Sequence, residues 1–127
     1  MSSTTRQSLL FVYGSLRSRA RAQHRLRGAV FVGLASISGR LYNLGPYPAA
    51  HPSRRGRERV HGELYRLPRL ATLAALDSYE DAGITGGEYR RALAPVACAG
   101  RHRPAWVYWY ARPLRGARRL PDGVWRP

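Results

Sequence analysis

Leu9-Leu10-Phe11-Val12-Tyr13-Gly14-Ser15-Leu16-Arg17 sets the reading of the chain. An apolar run stops at a Gly-Ser pair, which reads as a buried strand ending in a tight turn. Working outward, residues 1–7 are polar and expected to fray. Ser18 to Arg27 is arginine-rich, with Ala20, Ala22 and Leu26 as its apolar positions, and suits a short solvated helix. Ala29 to Leu34 and Ile37 to Tyr42 read as two strands. Gly39 inside the second marks a bulge or a close backbone approach.

Gly45-Pro46-Tyr47-Pro48, Pro52 and the cluster Arg54, Arg55, Arg57, Arg59 read as a loop with a solvated, charged face. From Val60 to Leu67 the sequence alternates, with Val60, Gly62 and Leu64 set against His61, Glu63 and Tyr65. That is the period of a half-buried strand. Pro68 opens a helix as a first-turn residue, and Leu70, Leu73, Ala74 and Leu76 keep helical spacing through Tyr79. Asp81 to Gly87 is a glycine-rich loop. Tyr89 to Cys98 and Pro104 to Ala111 read as strands, the latter with Trp106, Tyr108 and Tyr110 on one face and Val107 and Trp109 on the other. The segment 112–127 is expected to be an irregular tail pinned by Trp125. About six short strands and one main helix favour an α+β fold built on a small closed or nearly closed β-barrel.

At 127 residues the chain suits one domain, 1–127. A hydrophobic share of 44% with 23% charged residues argues against wholesale disorder. Cys98 is the sole cysteine, which excludes an intrachain disulfide and a multi-cysteine zinc site. Apolar runs are far shorter than the ~18–20 residues that span a bilayer, and the N-terminus lacks the layout of a secretory signal, so no membrane role and a cytoplasmic location are expected. All 22 basic residues are arginine, against 7 acids, for a net charge of +15. Together with 17 Ala, 13 Gly and 9 Pro they share GC-rich codons, and they are spread along the chain. That pattern fits a drifted, solvated surface, with non-specific adhesion to nucleic acid expected at low salt.

Two features carry candidate chemistry. The turn Tyr13-Gly14-Ser15-Leu16 can aim successive N–H groups into one concavity, an anion nest, or can be a plain turn. Glu80, four residues beyond Leu76, falls on the apolar side of its helix if Leu73 and Leu76 face inward. There its pKa would rise toward the range useful for proton transfer. The alternatives are a solvated helix end or a pair with Arg90 or Arg91. Glu63, opposite Val60 and Leu64, is either solvent-exposed or lines a barrel cavity. Glu88 suits a surface ion pair. His24, His51, His61 and His102 show no metal spacing, so no metal is expected. Ser15 has no evident base, and Cys98 suits a small buried hydrophobe.

Five blocks then occur in order: Tyr13-Gly14-Ser15-Leu16-Arg17; Gly39-Arg40-Leu41-Tyr42 with Gly45-Pro46-Tyr47-Pro48-Ala49; Val60-His61-Gly62-Glu63-Leu64-Tyr65; Leu76-Asp77-Ser78-Tyr79-Glu80 with Tyr89-Arg90-Arg91; and Ala105-Trp106-Val107-Tyr108. Over residues 9–111 the chain resembles the gamma-glutamylcyclotransferase-like family, of the gamma-glutamylamine cyclotransferase type. The tail lies outside these blocks, and Asp81 stands where the family usually has glycine. The resemblance implies a small mixed β-barrel with short flanking helices and a cavity at one end. It implies release of 5-oxoproline from a small gamma-glutamyl amine or amide, a cofactor-independent acyl-transfer or amidine-lyase-type cyclisation. Glu80 matches the family's acid/base, and Tyr13, Gly14, Ser15 and Leu16 match the turn that holds the glutamyl group. Glu63, Tyr89 and Tyr110 are further pocket candidates. The alternative is a non-catalytic module of the same fold that binds an anionic metabolite or nucleic acid.

Overall fold

A computed structural model describes residues 9–13, 28–45, 48–53, 57–67, 89–114 and 116–125. These form seven strands: β1 (Leu9–Val12), β2 (Val30–Asn43), β3 (Pro48–Pro52), β4 (Arg59–Arg66), β5 (Tyr89–Cys98), β6 (Arg101–Tyr110) and β7 (Arg118–Leu120). The expected helices at 18–27 and 68–79 and the loop at 81–87 lie outside the described residues. Among the described residues no helix is long and apolar enough to cross a membrane.

Five strands close into a barrel in the order β2-β4-β1-β6-β5, with β5 returning to β2 through Ala35 opposite Cys98 and Ser36 opposite Ala97. The sheet is mixed, because β1 runs antiparallel to β4 and parallel to β6. β1 is buried on both faces, which is why its sequence is apolar at every position rather than alternating. Leu9 and Phe11 point into the barrel with Ile37, Leu64, Val96 and Val107. Leu10 and Val12 point outward into a second cluster with Tyr65, Leu67 and Tyr108.

Three expectations need correction. The two strands expected between Ala29 and Tyr42 are one strand of 14 residues. Ala35-Ser36 supplies no turn chemistry, so the chain runs straight through; the register slips instead at a bulge between Phe31 and Gly33. Gly39 marks close approach, since a Cβ there would lie 2.8 Å from the His51 carbonyl oxygen. The proline-rich stretch contains a strand, β3, that pairs with Gly39–Asn43 and carries its two prolines at its ends. Arg59 is not part of a solvated face. Its guanidinium donates to the Ser36 and Ser38 hydroxyls at 3.0 Å and to the Ser36 carbonyl at 3.0 Å.

The tail is partly regular. β7 pairs Leu120 with Leu41 and Arg118 with Asn43, and the His61 N–H donates to the Gly123 carbonyl at 2.8 Å. Trp125, 5% exposed, packs into the interior cluster, as its size suggested. Glu58 ties strand to tail by accepting from Arg40 Nε at 2.8 Å and from the Arg119 guanidinium. The Arg40 guanidinium holds the Glu58 carboxyl below the usual carboxylate range; burial pushes the other way, and Ser53 and Arg119 reinforce Arg40.

Trp125→Ala should cost about 3–5 kcal/mol in urea unfolding, the range for emptying an aromatic site. A depressed carboxyl contributes stability that is present above the ordinary carboxylate range and is lost as pH falls through its own lowered value. Glu58→Gln should therefore lower Tm at pH 7, and the gap to the parent should close as the scan moves well below pH 4, the ordinary carboxylate region of about 3.9–4.3.

Candidate functional site

The outer face of the barrel shows what the alternation in β4 predicts for its side chains. Glu63 stands opposite Val12 on β1 and Leu34 on β2. It is 6% exposed, so the solvent-exposed alternative does not hold. A carboxyl group is seldom buried without partners. The Tyr65 hydroxyl donates to Glu63 Oε1 at 2.9 Å from within the same buried cluster. Tyr65 is itself held by the edge of Phe31, with ring centroids 5.6 Å apart. The alternation that put Glu63 and Tyr65 on one face was sufficient to pair them, yet only the structure shows the face to be covered.

Leu10 lies level with Trp106 on β6, and Val12 packs in the same outer cluster as Tyr108. Tyr108 in turn faces Arg91 on β5. Glu63 beside Val12 and Arg91 beside Tyr108 thus form a row over the outer cluster that Val12 and Tyr108 share, with an acid at one end and a guanidinium at the other. Arg91 lies 4.3 Å over the Trp106 ring, a cation–π contact that fixes where its charge sits. The sequence offered Arg91 only as a possible partner of Glu80; its register with Tyr108 is the signal that places it here.

The row sits beside the β1 exit, where the chain leaves Val12 for Tyr13. Tyr13 is buried in the interior cluster, and its hydroxyl donates to the Tyr108 carbonyl. Its side chain therefore fastens the exit to β6. Gly62 lets β4 come close here, since a Cβ on it would lie 2.1 Å from the Val12 carbonyl oxygen. Tyr89 and Tyr110 face each other at the end of the β5–β6 ladder, edge to face at 5.5 Å, and the Tyr89 hydroxyl donates to the Pro48 carbonyl at 2.7 Å. The structure thus gathers Glu63, Tyr13 and Tyr89 around β1 and its neighbours, with Tyr110 at the strand end. Gly14, Ser15, Leu16, Glu80, Asp81 and Glu88 lie outside the described residues. Cys98 is buried at the end of β5, in the interior cluster. Among the described residues, no three His, Cys, Asp or Glu side chains converge in a way that would hold a metal ion.

Residues 10–127 match the family model described as gamma-glutamyl cyclotransferase, AIG2-like, so the match takes in the tail that the five blocks had left out. A gamma-glutamylcyclotransferase family protein, ytfP, of Citrobacter rodentium is 41% identical over 117 residues, 91% of this chain and 93% of the relative. The solution structure of protein ytfP from Escherichia coli is 41% identical, with a TM-score of 0.69 over 92% of this chain and 95% of that one. An AIG2-like protein from Mus musculus, 22% identical with a TM-score of 0.75 over 94% of this chain and 88% of that one, shares the fold.

Tyr65→Phe removes a donor from a buried carboxyl group and should destabilise the protein by about 1–3 kcal/mol in urea unfolding. An unchanged midpoint would mean that the Glu63 carboxyl does not depend on this hydroxyl.

Proposed function

The chain belongs to the gamma-glutamyl cyclotransferase, AIG2-like family, and from that premise we propose that it releases 5-oxoproline from a small gamma-glutamyl amine or amide. The observation that carries the proposal is the match over residues 10–127, a range that includes Tyr13–Leu16 and Glu80.

The chemistry needs little from the protein. The nucleophile is the substrate's own α-amine and the electrophile its own γ-carbonyl, so bending one molecule into a ring-like pose supplies most of the proximity. The α-ammonium first loses a proton. Its nitrogen then bonds to the γ-carbon, the carbonyl π electrons move onto oxygen, and the C–N bond to the leaving amine breaks as the carbonyl reforms. The leaving nitrogen takes up a proton, and the ring nitrogen sheds the second of its own, so that the lactam keeps one N–H and the amine departs as its ammonium. In this reading Glu80 accepts the first proton and returns it to the leaving nitrogen. N–H groups of Gly14, Ser15 and Leu16 hold the substrate carboxylate or the developing oxyanion. Glu63, Tyr89 and Tyr110 contribute to the pocket wall; burial of Glu63 beside the β1 exit supports that role. Asp81, next to Glu80, raises the proton affinity of the acid through like charge. No step requires a redox group, a nucleotide or a metal.

A panel of gamma-glutamyl amines and dipeptides assayed for 5-oxoproline tests the reaction. Glu80→Gln should lower the rate ~10²–10⁴-fold while the circular dichroism spectrum stays that of the parent. Full turnover by that variant would remove Glu80 from the mechanism.

A further inference from the structure

Ser36 and Ser38 stand two residues apart on one face of β2, and β4 brings His61 opposite Ser36 and Arg59 opposite Ser38. The two serines and Arg59 are half-buried and His61 is exposed. Across the other edge of β2, Ala97 faces Ser36 and adds only a methyl group there. The backbone beneath this patch is held firmly. Ile37 and Val60, opposite each other on the interior face, are 1% and 0% exposed. The far edge of β4 is clasped by the tail: the His61 N–H donates to the Gly123 carbonyl at 2.8 Å, and a Cβ on Gly123 would lie 1.9 Å from the Arg59 carbonyl oxygen.

A guanidinium only donates, which fixes the direction of every bond in the patch. Arg59 Nε and Nη2 donate to Ser36 Oγ at 3.2 and 3.0 Å, Nη1 donates to Ser38 Oγ at 3.0 Å, and Nη2 also reaches the Ser36 carbonyl at 3.0 Å. These acceptors are neutral oxygens, so the bonds orient the charge without cancelling it. They orient the hydroxyls too. Ser36 Oγ has both lone pairs engaged and Ser38 Oγ has one, so each hydroxyl turns its own proton away from Arg59. Among the described residues neither proton meets an acceptor. Nη1 keeps a second N–H. The patch thus presents two O–H donors and one N–H donor around a fixed positive charge. The adjoining acid, Glu58, already accepts from Arg40, Ser53 and Arg119.

We propose that Ser36, Ser38 and Arg59 form a binding site for a phosphate group, with His61 at its rim. Charge-assisted bonds to arginine are the usual means of holding phosphate. A planar carboxylate gains most from the parallel fork of a guanidinium, but here the serines occupy that fork. The remaining donors belong to three separate groups and suit the spread oxygens of a tetrahedral ion. The phosphate can be the inorganic ion or the end of a monoester, and the two are told apart below. The site lies four residues along β4 from Glu63, about 13 Å, and shares no residue with the proposed reaction.

The test is titration of the 15N-labelled full chain with inorganic phosphate at about 150 mM chloride, where non-specific attraction to the arginines is weakened. Saturable amide shifts should centre on Ser36–Ser38 and Arg59–His61. By calorimetry, acetate should bind at least ~10-fold more weakly than phosphate, a gap of about 1.4 kcal/mol. The double variant Ser36→Ala, Ser38→Ala keeps the charge and loses both O–H donors; it should weaken phosphate by a similar factor, as should Arg59→Lys, which loses the fork. Arg90→Gln removes one positive charge near the start of β5 and should leave phosphate binding unchanged. Glycerol phosphate that binds no more tightly than the inorganic ion identifies free phosphate as the ligand; tighter binding, lost in the same variants, identifies a monoester. The amide map needs only the parent chain, so it decides the matter even if a variant fails to fold. No saturable binding, shifts scattered over arginines elsewhere, equal binding of acetate, or equal loss in Arg90→Gln overturns the proposal. Turnover is read in none of these arms, so the cyclotransferase reading and this inference stand or fall separately.

Discussion

Burial of β1 on both faces is the constraint on which the rest of the structure depends. Four residues, Leu9–Val12, supply the interior cluster with one pair of side chains and the outer cluster with the other. Each fully buried side chain of this size is worth roughly 1.5–3 kcal/mol in transfer free energy. The same strand joins β4 on one edge and β6 on the other, so closure of the barrel and coverage of its outer face are settled by one short segment. Function inherits this constraint. A strand held on four sides delivers the backbone at Tyr13 to a fixed place, and Tyr13 is fastened to Tyr108 by its own hydroxyl.

Where the sequence carried a strong period, it was legible. The faces of β4 and β6 appear as read, because side chains of a strand alternate whatever surrounds them, but β4 is buried on both faces from Gly62 to Tyr65 where a half-buried strand was expected. The errors arose where local signals competed with pairing. Between Leu34 and Ile37 nothing forces a turn, and pairing with β4 carries β2 through as one strand. At Pro48–Pro52 proline density suggested a loop, yet both prolines occupy strand ends, where the missing N–H is tolerated. The tail gave no periodic signal; its order comes from contacts distant in sequence, Leu120 on Leu41 and Trp125 in the core.

Of the candidate site residues, Tyr13, Glu63, Tyr89 and Tyr110 lie among the described residues. Glu63 stood out as a carboxylate in a strand of apolar alternation, but whether its face was covered depends on neighbours that a single strand does not reveal. Its link to Tyr65 was implicit in two-residue spacing, whereas the placement of Arg91 opposite Tyr108 required the register between β5 and β6. The arginine content, spread by count, proves uneven in role: Arg59 cross-links strands, Arg40 and Arg119 fasten the tail through Glu58, and Arg91 caps an indole. A net charge says nothing of such division of labour.

The central functional claim is intramolecular attack by the substrate's own amine. It is tested most directly by comparing a gamma-glutamyl amine with its N-acetyl derivative and identifying the acyl product by mass spectrometry. The account predicts 5-oxoproline and free amine in equal amounts from the first compound and no reaction with the second, whose nitrogen can no longer attack. Free glutamate from the first, or amine release from both, would mean that water is the nucleophile and would contradict it.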